Sequence, residues 1–129
     1  MAMLNPYLEY QKTQNHAVLS ADQGKLALML YDGATKFTRR AIFSIDNKRI
    51  EDAHNYILKT QDIVHYLAGT LNRDNEISEN LASIYGYISR RLMDANIGKD
   101  KDILQEVLNL TTELKDTWAE AYRATKKTR

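Results

Sequence analysis

The chain has 129 residues, 18 Lys and Arg against 17 Asp and Glu for a net charge of +1, and no cysteine. That length suits one domain with a single core, and the balanced charge argues against generic binding to nucleic acid or to an anionic membrane. Disulfides, thiol catalysis and thiolate metal sites are excluded.

The only proline is Pro6, a residue suited to the first position of a helix, so Tyr7, Leu8, Tyr10 and Gln11 are expected to form one or two helical turns. Residues 12–19 read as a polar link. Residues 1–20 carry two tyrosines but no core of their own, and the expectation is a loosely docked lid. No apolar run approaches the roughly 18 residues of a membrane span, and the amino terminus lacks the charged-then-apolar order of a signal peptide. The expected location is the cytoplasm, with no membrane insertion.

A helix is predicted over roughly 22–46, capped by Asp22 or by a Ser20/Gln23 capping box. Leu26, Leu30, Gly33 and Phe37 recur at helical spacing and already supply the stripe, roughly 100° wide, that a bundle helix needs. Leu28, Met29, Tyr31 and Ala34 are then surplus. Such surface must be covered by the chain itself or by a partner.

Three more amphipathic segments follow, at roughly 49–72, 77–97 and 101–124. The inward faces are predicted to hold Ile50, Ala53, Ile57, Thr60, Val64, Leu67 and Leu71 in the first, and Ile77, Leu81, Ile84, Ile88, Leu92 and Ala95 in the next. The last offers Leu104, Val107, Thr111, Leu114, Trp118 and Ala121. Gly98 suits a left-handed carboxyl-terminal cap and Asp100 the amino-terminal cap of the helix after it. Connections this short make successive helices antiparallel neighbours. The expected fold is all-α: an antiparallel, up-down four-helix bundle over residues 21–125, with a short additional amino-terminal helix within residues 1–20 and a basic tail at 126–129.

Gly33, Gly69 and Gly86 fall inside predicted helices, where glycine costs about 1 kcal/mol relative to alanine. Either close helix packing or the approach of a partner's backbone offsets that cost. Tyr85 and Tyr87 flank Gly86 and point to different faces, so at least one is expected near the surface, where tyrosine suits binding.

Catalysis and metal binding find little support. Glu51-x-x-His54 and Asp62-x-x-His65 have a spacing used by di-iron bundles, but those sites need the motif on two helices; here both copies fall on one. No serine sits in a nucleophile-elbow setting and no glycine-rich phosphate loop is present. Arg39-Arg40, Arg90-Arg91, Glu106, Glu113 and Glu120 read as solvated helix faces. No cofactor is expected.

A series of short motifs runs through the chain in order: Asn5-Pro6-Tyr7-Leu8-Glu9-Tyr10-Gln11, Leu28-Met29-Leu30-Tyr31-Asp32-Gly33-Ala34 ending in Lys36-Phe37, and Gln61-Asp62-Ile63 with Leu71-Asn72. Further on come Ile84-Tyr85-Gly86-Tyr87, Arg90-Arg91-Leu92 with Ala95-Asn96, and Glu106-Val107 with Asp116-Thr117-Trp118. In this order and spacing the chain closely resembles the flagellin-specific export chaperones of bacterial flagellar systems. One departure is Asp22-Gln23, where relatives often carry Ser or Thr followed by Pro. The resemblance implies a binding protein without enzymatic activity, whose client is the disordered carboxyl-terminal segment of flagellin and which hands that client to a membrane-anchored component of the export gate. Tyr7, Tyr10, Leu28, Met29, Tyr31, Ala34, Tyr85 and Tyr87 are the residues expected to meet the client. The competing expectation is a homodimeric helical protein or adaptor that uses the same surplus surface without a flagellin client, with weak homodimerisation as a lesser form of it.

Overall fold

The computed structural model describes residues 23–71 and 75–127. Among the described residues lie four helices and no strand: α1 (Gln23–Asp46), α2 (Ile50–Gly69), α3 (Glu76–Gly98) and α4 (Lys101–Lys127). The short helix expected after Pro6, and both candidate caps of α1, lie outside the described residues.

Polar residues at the breaks fix where the helices begin. The Asn75 side chain accepts a hydrogen bond from the Ser78 backbone N–H at 2.8 Å and opens α3. Asp100 does the same for α4, its Oδ1 accepting from the N–H groups of Asp102 and Ile103 at 2.9 and 3.2 Å. These caps satisfy amides that the first helical turn leaves without a partner.

Helix α1 ends at Asp46 as expected, but the ending of α3 differs from expectation. Gly98 closes α3 as its last helical residue, and the left-handed residue is Lys99, with φ 49° and ψ 50°. Lys48 repeats the arrangement after α1 with φ 59°. Its N–H donates to Ile45 O at 3.0 Å and the Arg49 N–H reaches Ser44 O at 2.7 Å, the paired bonds of a Schellman ending. The Lys99 Nζ also donates to the Asn96 carbonyl at 2.6 Å, a cation at a helix carboxyl terminus. Helix α2 stops at Gly69 rather than near 72, so that glycine marks an end and not an interior.

Contacts between helices define the arrangement. The start of α4 meets the end of α1, where Lys101 Nζ donates to Asp46 Oδ1 at 2.6 Å; further on, Lys115 Nζ donates to Asp32 at 3.1 Å and the Trp118 indole N–H to the Gly24 carbonyl at 3.0 Å. On its other side α1 stacks Phe37 on Tyr56 of α2 and sets Thr38 beside Thr60. Helix α2 meets α3 through His54 with Asn96 and His65 with Ser89. Helix α3 meets α4 through Arg91 and Glu106. The four helices close a ring around one core.

Leu30, Ile57, Ile63, Ile88, Leu92, Leu104 and Val107 fill that core. Threonines line it too. Thr38 Oγ1 donates to Ala34 O, Thr60 Oγ1 to Tyr56 O and Thr111 Oγ1 to Leu108 O, so these three hydroxyls bond back to their own helices, while Thr35 Oγ1 donates across to Thr111 Oγ1 at 3.3 Å. Among the described residues no buried side-chain polar atom lacks a partner, as stability requires, since each orphan costs about 1–3 kcal/mol.

The left-handed lysines are a removable strain. A non-glycine residue in this conformation costs roughly 1–2 kcal/mol, part of which glycine returns through its greater freedom when unfolded. Lys48→Gly is therefore expected to stabilise the protein by about 0.5–1 kcal/mol. In urea denaturation the midpoint should rise with an unchanged slope.

Candidate binding surface

Helix α1 packs between α2 and α4, so two of its faces are buried, and this accounts for the apolar residues around its circumference. Tyr31 is 2% exposed, and Gly33 and Ala34 are buried, while Leu28 and Met29 are half-buried. Tyr85 is buried as well, and Tyr87 is 39% exposed. Tyr31, Ala34 and Tyr85 thus correct the expectation of surplus surface: the chain covers them itself. Tyr7 and Tyr10 lie outside the described residues.

Tyr31 and Tyr85 share a hydrogen bond between their hydroxyls across the core, from α1 to the diagonally placed α3. The Tyr31 ring also meets Trp118 of α4 edge-on, with centroids 6.3 Å apart and planes at 66°. Three helices are tied at one node. Burial pushes the Tyr31 phenol above its ordinary range despite its bond to Tyr85, and burial followed by the neighbouring Tyr31 raises Tyr85 further. On the rim, burial works to raise Asp32, but the bonds and charges of Lys115 and Lys36 outweigh it and hold the carboxyl below its usual range.

Uncovered apolar surface occurs elsewhere. Ile77 is 73% exposed and Ile84 37% exposed on the amino-terminal half of α3, with Leu81 half-buried between them. Sequence periodicity placed all three inward. The structure buries Ser78 and Tyr85, each one position later, in place of Ile77 and Ile84, while Ile88, Leu92 and Ala95 are inward as expected. Ile77 and Ile84 each precede a core residue and so stand about 100° round the helix from it. From the Tyr87–Glu106 contact, they lie alongside the part of α4 that carries the partly buried Leu110, Leu114 and Trp118.

This apolar edge ends at a polar clasp. The Tyr87 hydroxyl donates to Glu106 Oε2, and Arg91 Nε donates to Glu106 Oε1 at 2.9 Å while its Nη1 reaches Asp94 at 3.1 Å. Those bonds from Tyr87 and Arg91 hold the Glu106 carboxyl below its usual range. On the far side of α1, Leu26, Ala27, Leu30, Tyr66, Leu67 and Thr70 line a recess of about 110 Å³. The arrangement offers apolar strips bordered by fixed polar groups, suited to an extended or helical polypeptide rather than to a small molecule in a closed pocket.

The histidine motifs do not converge. His54 pairs with the Asn96 side chain and His65 with Ser89, both across the α2/α3 seam. Among the described residues no three His, Asp or Glu side chains gather as a metal site would require. Arg40 lies over the Tyr56 ring, 6.0 Å from its centroid. Gly86 is half-exposed, and among the described residues a Cβ there would meet only the Arg90 guanidinium at 3.5 Å, so close packing of helices within the chain does not explain that glycine.

Removing either tyrosine hydroxyl from the core node strands the other. Tyr31→Phe and Tyr85→Phe are each expected to destabilise the protein by about 1–3 kcal/mol, and the double variant by less than the two together, as a double-mutant cycle in urea would measure. Stability should also decline as pH rises above about 10, because the unfolded chain's tyrosines ionise there while Tyr31 and Tyr85 remain protonated in the fold. That decline should be shallower in the double variant.

Residues 4–125 match the family model described as "Flagellar protein FliS". Among curated relatives, the flagellar secretion chaperone FliS of Bacillus subtilis is 40% identical over 129 residues, covering 100% of this chain and 95% of the relative. The proteins of the same name from Escherichia coli and Campylobacter jejuni are each 32% identical, over 81% and 85% of this chain and 79% and 87% of their own lengths.

Proposed function

We propose a client-binding role in flagellar protein export for this chain, which belongs to the FliS family. That is a family of secretion chaperones and not of enzymes. The client is the disordered carboxyl-terminal segment of flagellin. Binding keeps that segment from polymerising prematurely in the cytoplasm, and the complex is delivered to the type III export gate. The body that binds is, in this reading, an antiparallel up-down bundle, which the pairings of Asp46 with Lys101 and Gly24 with Trp118 support.

The observation that carries this reading is the uncovered strip of Ile77 and Ile84 beside half-buried Leu81. A disordered segment that folds on binding spreads its contacts over a long surface, and it gives up about 2–5 kcal/mol or more in ordering. A chaperone for it needs an apolar track, and large exposed aliphatic side chains in a strip mark one. Tyr87, Leu28 and Met29 border the body's accessible apolar surface and contact the client directly in this reading. Tyr31, Ala34 and Tyr85 act from beneath, holding α1 and α3 at the separation that shapes the track. Tyr7 and Tyr10, in the lid segment 1–20, cover the track when empty and shift when the client arrives.

Titration with a peptide of the flagellin carboxyl terminus should give saturable binding with a clearly negative heat-capacity change. Ile84→Glu should weaken that binding by about tenfold or more while leaving helical content unchanged, because the side chain is already partly in water. Deleting residues 1–18 should change the affinity with melting nearly unchanged. Absence of binding by the intact protein would sink the proposal, and unfolding on deletion would make the lid part of the core.

A further inference from the structure

A row of side chains three apart runs obliquely across α3: Leu81, Ile84, Tyr87 and Arg90. Each step of three advances about 4.5 Å along the axis and about 60° round the helix, so such residues form one continuous ridge. Leu81 packs against the core, Ile84 is 37% and Tyr87 39% exposed, and Arg90 is exposed. The ridge therefore climbs from the edge of the core onto the outer face, aliphatic at first, then aromatic with a polar tip, then cationic.

The cation at its end has no anion. Arg91 holds Glu106 and Asp94, and Tyr87 donates to Glu106 as well, so both neighbouring carboxylates are engaged, whereas Arg90 forms no ion pair among the described residues. Its position is nevertheless defined. Arg90 Nη1 lies 3.5 Å from the place a Cβ on Gly86 would take, so the side chain folds back along the helix over that glycine. The bond to Glu106 raises the Tyr87 phenol above its ordinary range, and the charges of Arg91 and Arg90 work against it, which puts the Arg90 guanidinium near the Tyr87 tip. Glycine inside a helix is costly; here it leaves one side of the guanidinium uncovered, where the methyl of an alanine would lie against Nη1. We propose that Arg90, folded over Gly86 at the end of this ridge, binds the terminal carboxylate of the client, an inference that rests on the reading of that client as the carboxyl-terminal segment of flagellin.

Apolar contact is non-directional, and a tail held by aliphatic side chains alone slides along them. A charge pair at one end fixes where it stops. A client that ends here lays its last apolar side chains on Leu81, Ile84 and Tyr87 and brings its carboxylate to the planar fork of guanidinium N–H donors, whose geometry a carboxylate matches. The terminal carboxylate is the one full negative charge that a polypeptide carries whatever its side chains, so a single uncompensated arginine suffices to read the end of a chain. Because Arg90 is exposed, the pair is partly in water and sets register more than it adds affinity.

Calorimetric titration of the full chain tests this with three forms of a flagellin carboxyl-terminal peptide: the free acid, the terminal amide, and the free acid with every Asp and Glu replaced by Asn and Gln. The amide should bind about fivefold more weakly than the free acid, and the third peptide as tightly as the first. Arg90→Gln should bring the free acid down to the affinity of the amide and leave the amide unchanged, and the gap between the two should narrow in high salt. Gly86→Ala should raise the urea midpoint, since alanine favours the helix, yet lower the affinity for the free acid toward that of the amide. Equal binding of acid and amide overturns the inference while leaving the client reading in place, as does a loss in Arg90→Gln shared equally by both. Weakening confined to the third peptide gives Arg90 to a side-chain carboxylate and also overturns it. Failure of all three peptides to bind the intact protein overturns the client reading itself.

Discussion

The hydroxyl pair of Tyr31 and Tyr85 is the contact on which the arrangement of this bundle turns. Neighbouring helices in the ring touch along their seams, but this bond crosses the core, and Trp118 closes on the same ring from α4. A tyrosine hydroxyl buried without a partner is costly. Each tyrosine therefore specifies the rotation of the other's helix, which a core of leucine and isoleucine would leave less defined.

That rotation has consequences for the surface of α3. With Tyr85 inward, the buried heptad is Ser78, Tyr85 and Leu92, and Ile77 and Ile84 are carried to the outside. Had Ile84 been the core residue, the helix would turn by about 100°, the aliphatic strip would be hidden and Tyr85 would stand at the rim. The same node that orders the core thus creates the exposed strip on which the proposed client contact depends. Core specificity and surface availability are two results of one packing choice.

Helix α3 therefore presents three kinds of face. One is buried, one carries the strip that ends at the Tyr87, Arg91 and Glu106 clasp, and one carries Met93 and Ile97 outward. The clasp fixes the α3/α4 seam by charge-assisted hydrogen bonds while leaving the apolar residues further along without full cover. Such a division lets a small bundle keep a stable core of aliphatic and threonine layers and still retain apolar surface for another chain.

Much of this was legible in the chain alone. The absence of proline after Pro6, the three-and-four spacing and the cap at Asp100 determined four helices and their limits to within a few residues, because helix formation and capping are local interactions. Family membership was legible through the order of short motifs. Tertiary structure alone decided which side of each helix is inside. Periodicity sees a broad apolar stripe on α3 and cannot choose between Ile84 and Tyr85, since that choice depends on a hydroxyl contributed from 54 residues away. For the same reason the apolar residues of α1 read as surplus in sequence: one helix pattern carries no record that two neighbours, α2 and α4, enclose it. Burial is a property of the assembled ring, and only the assembled ring shows where oily surface remains.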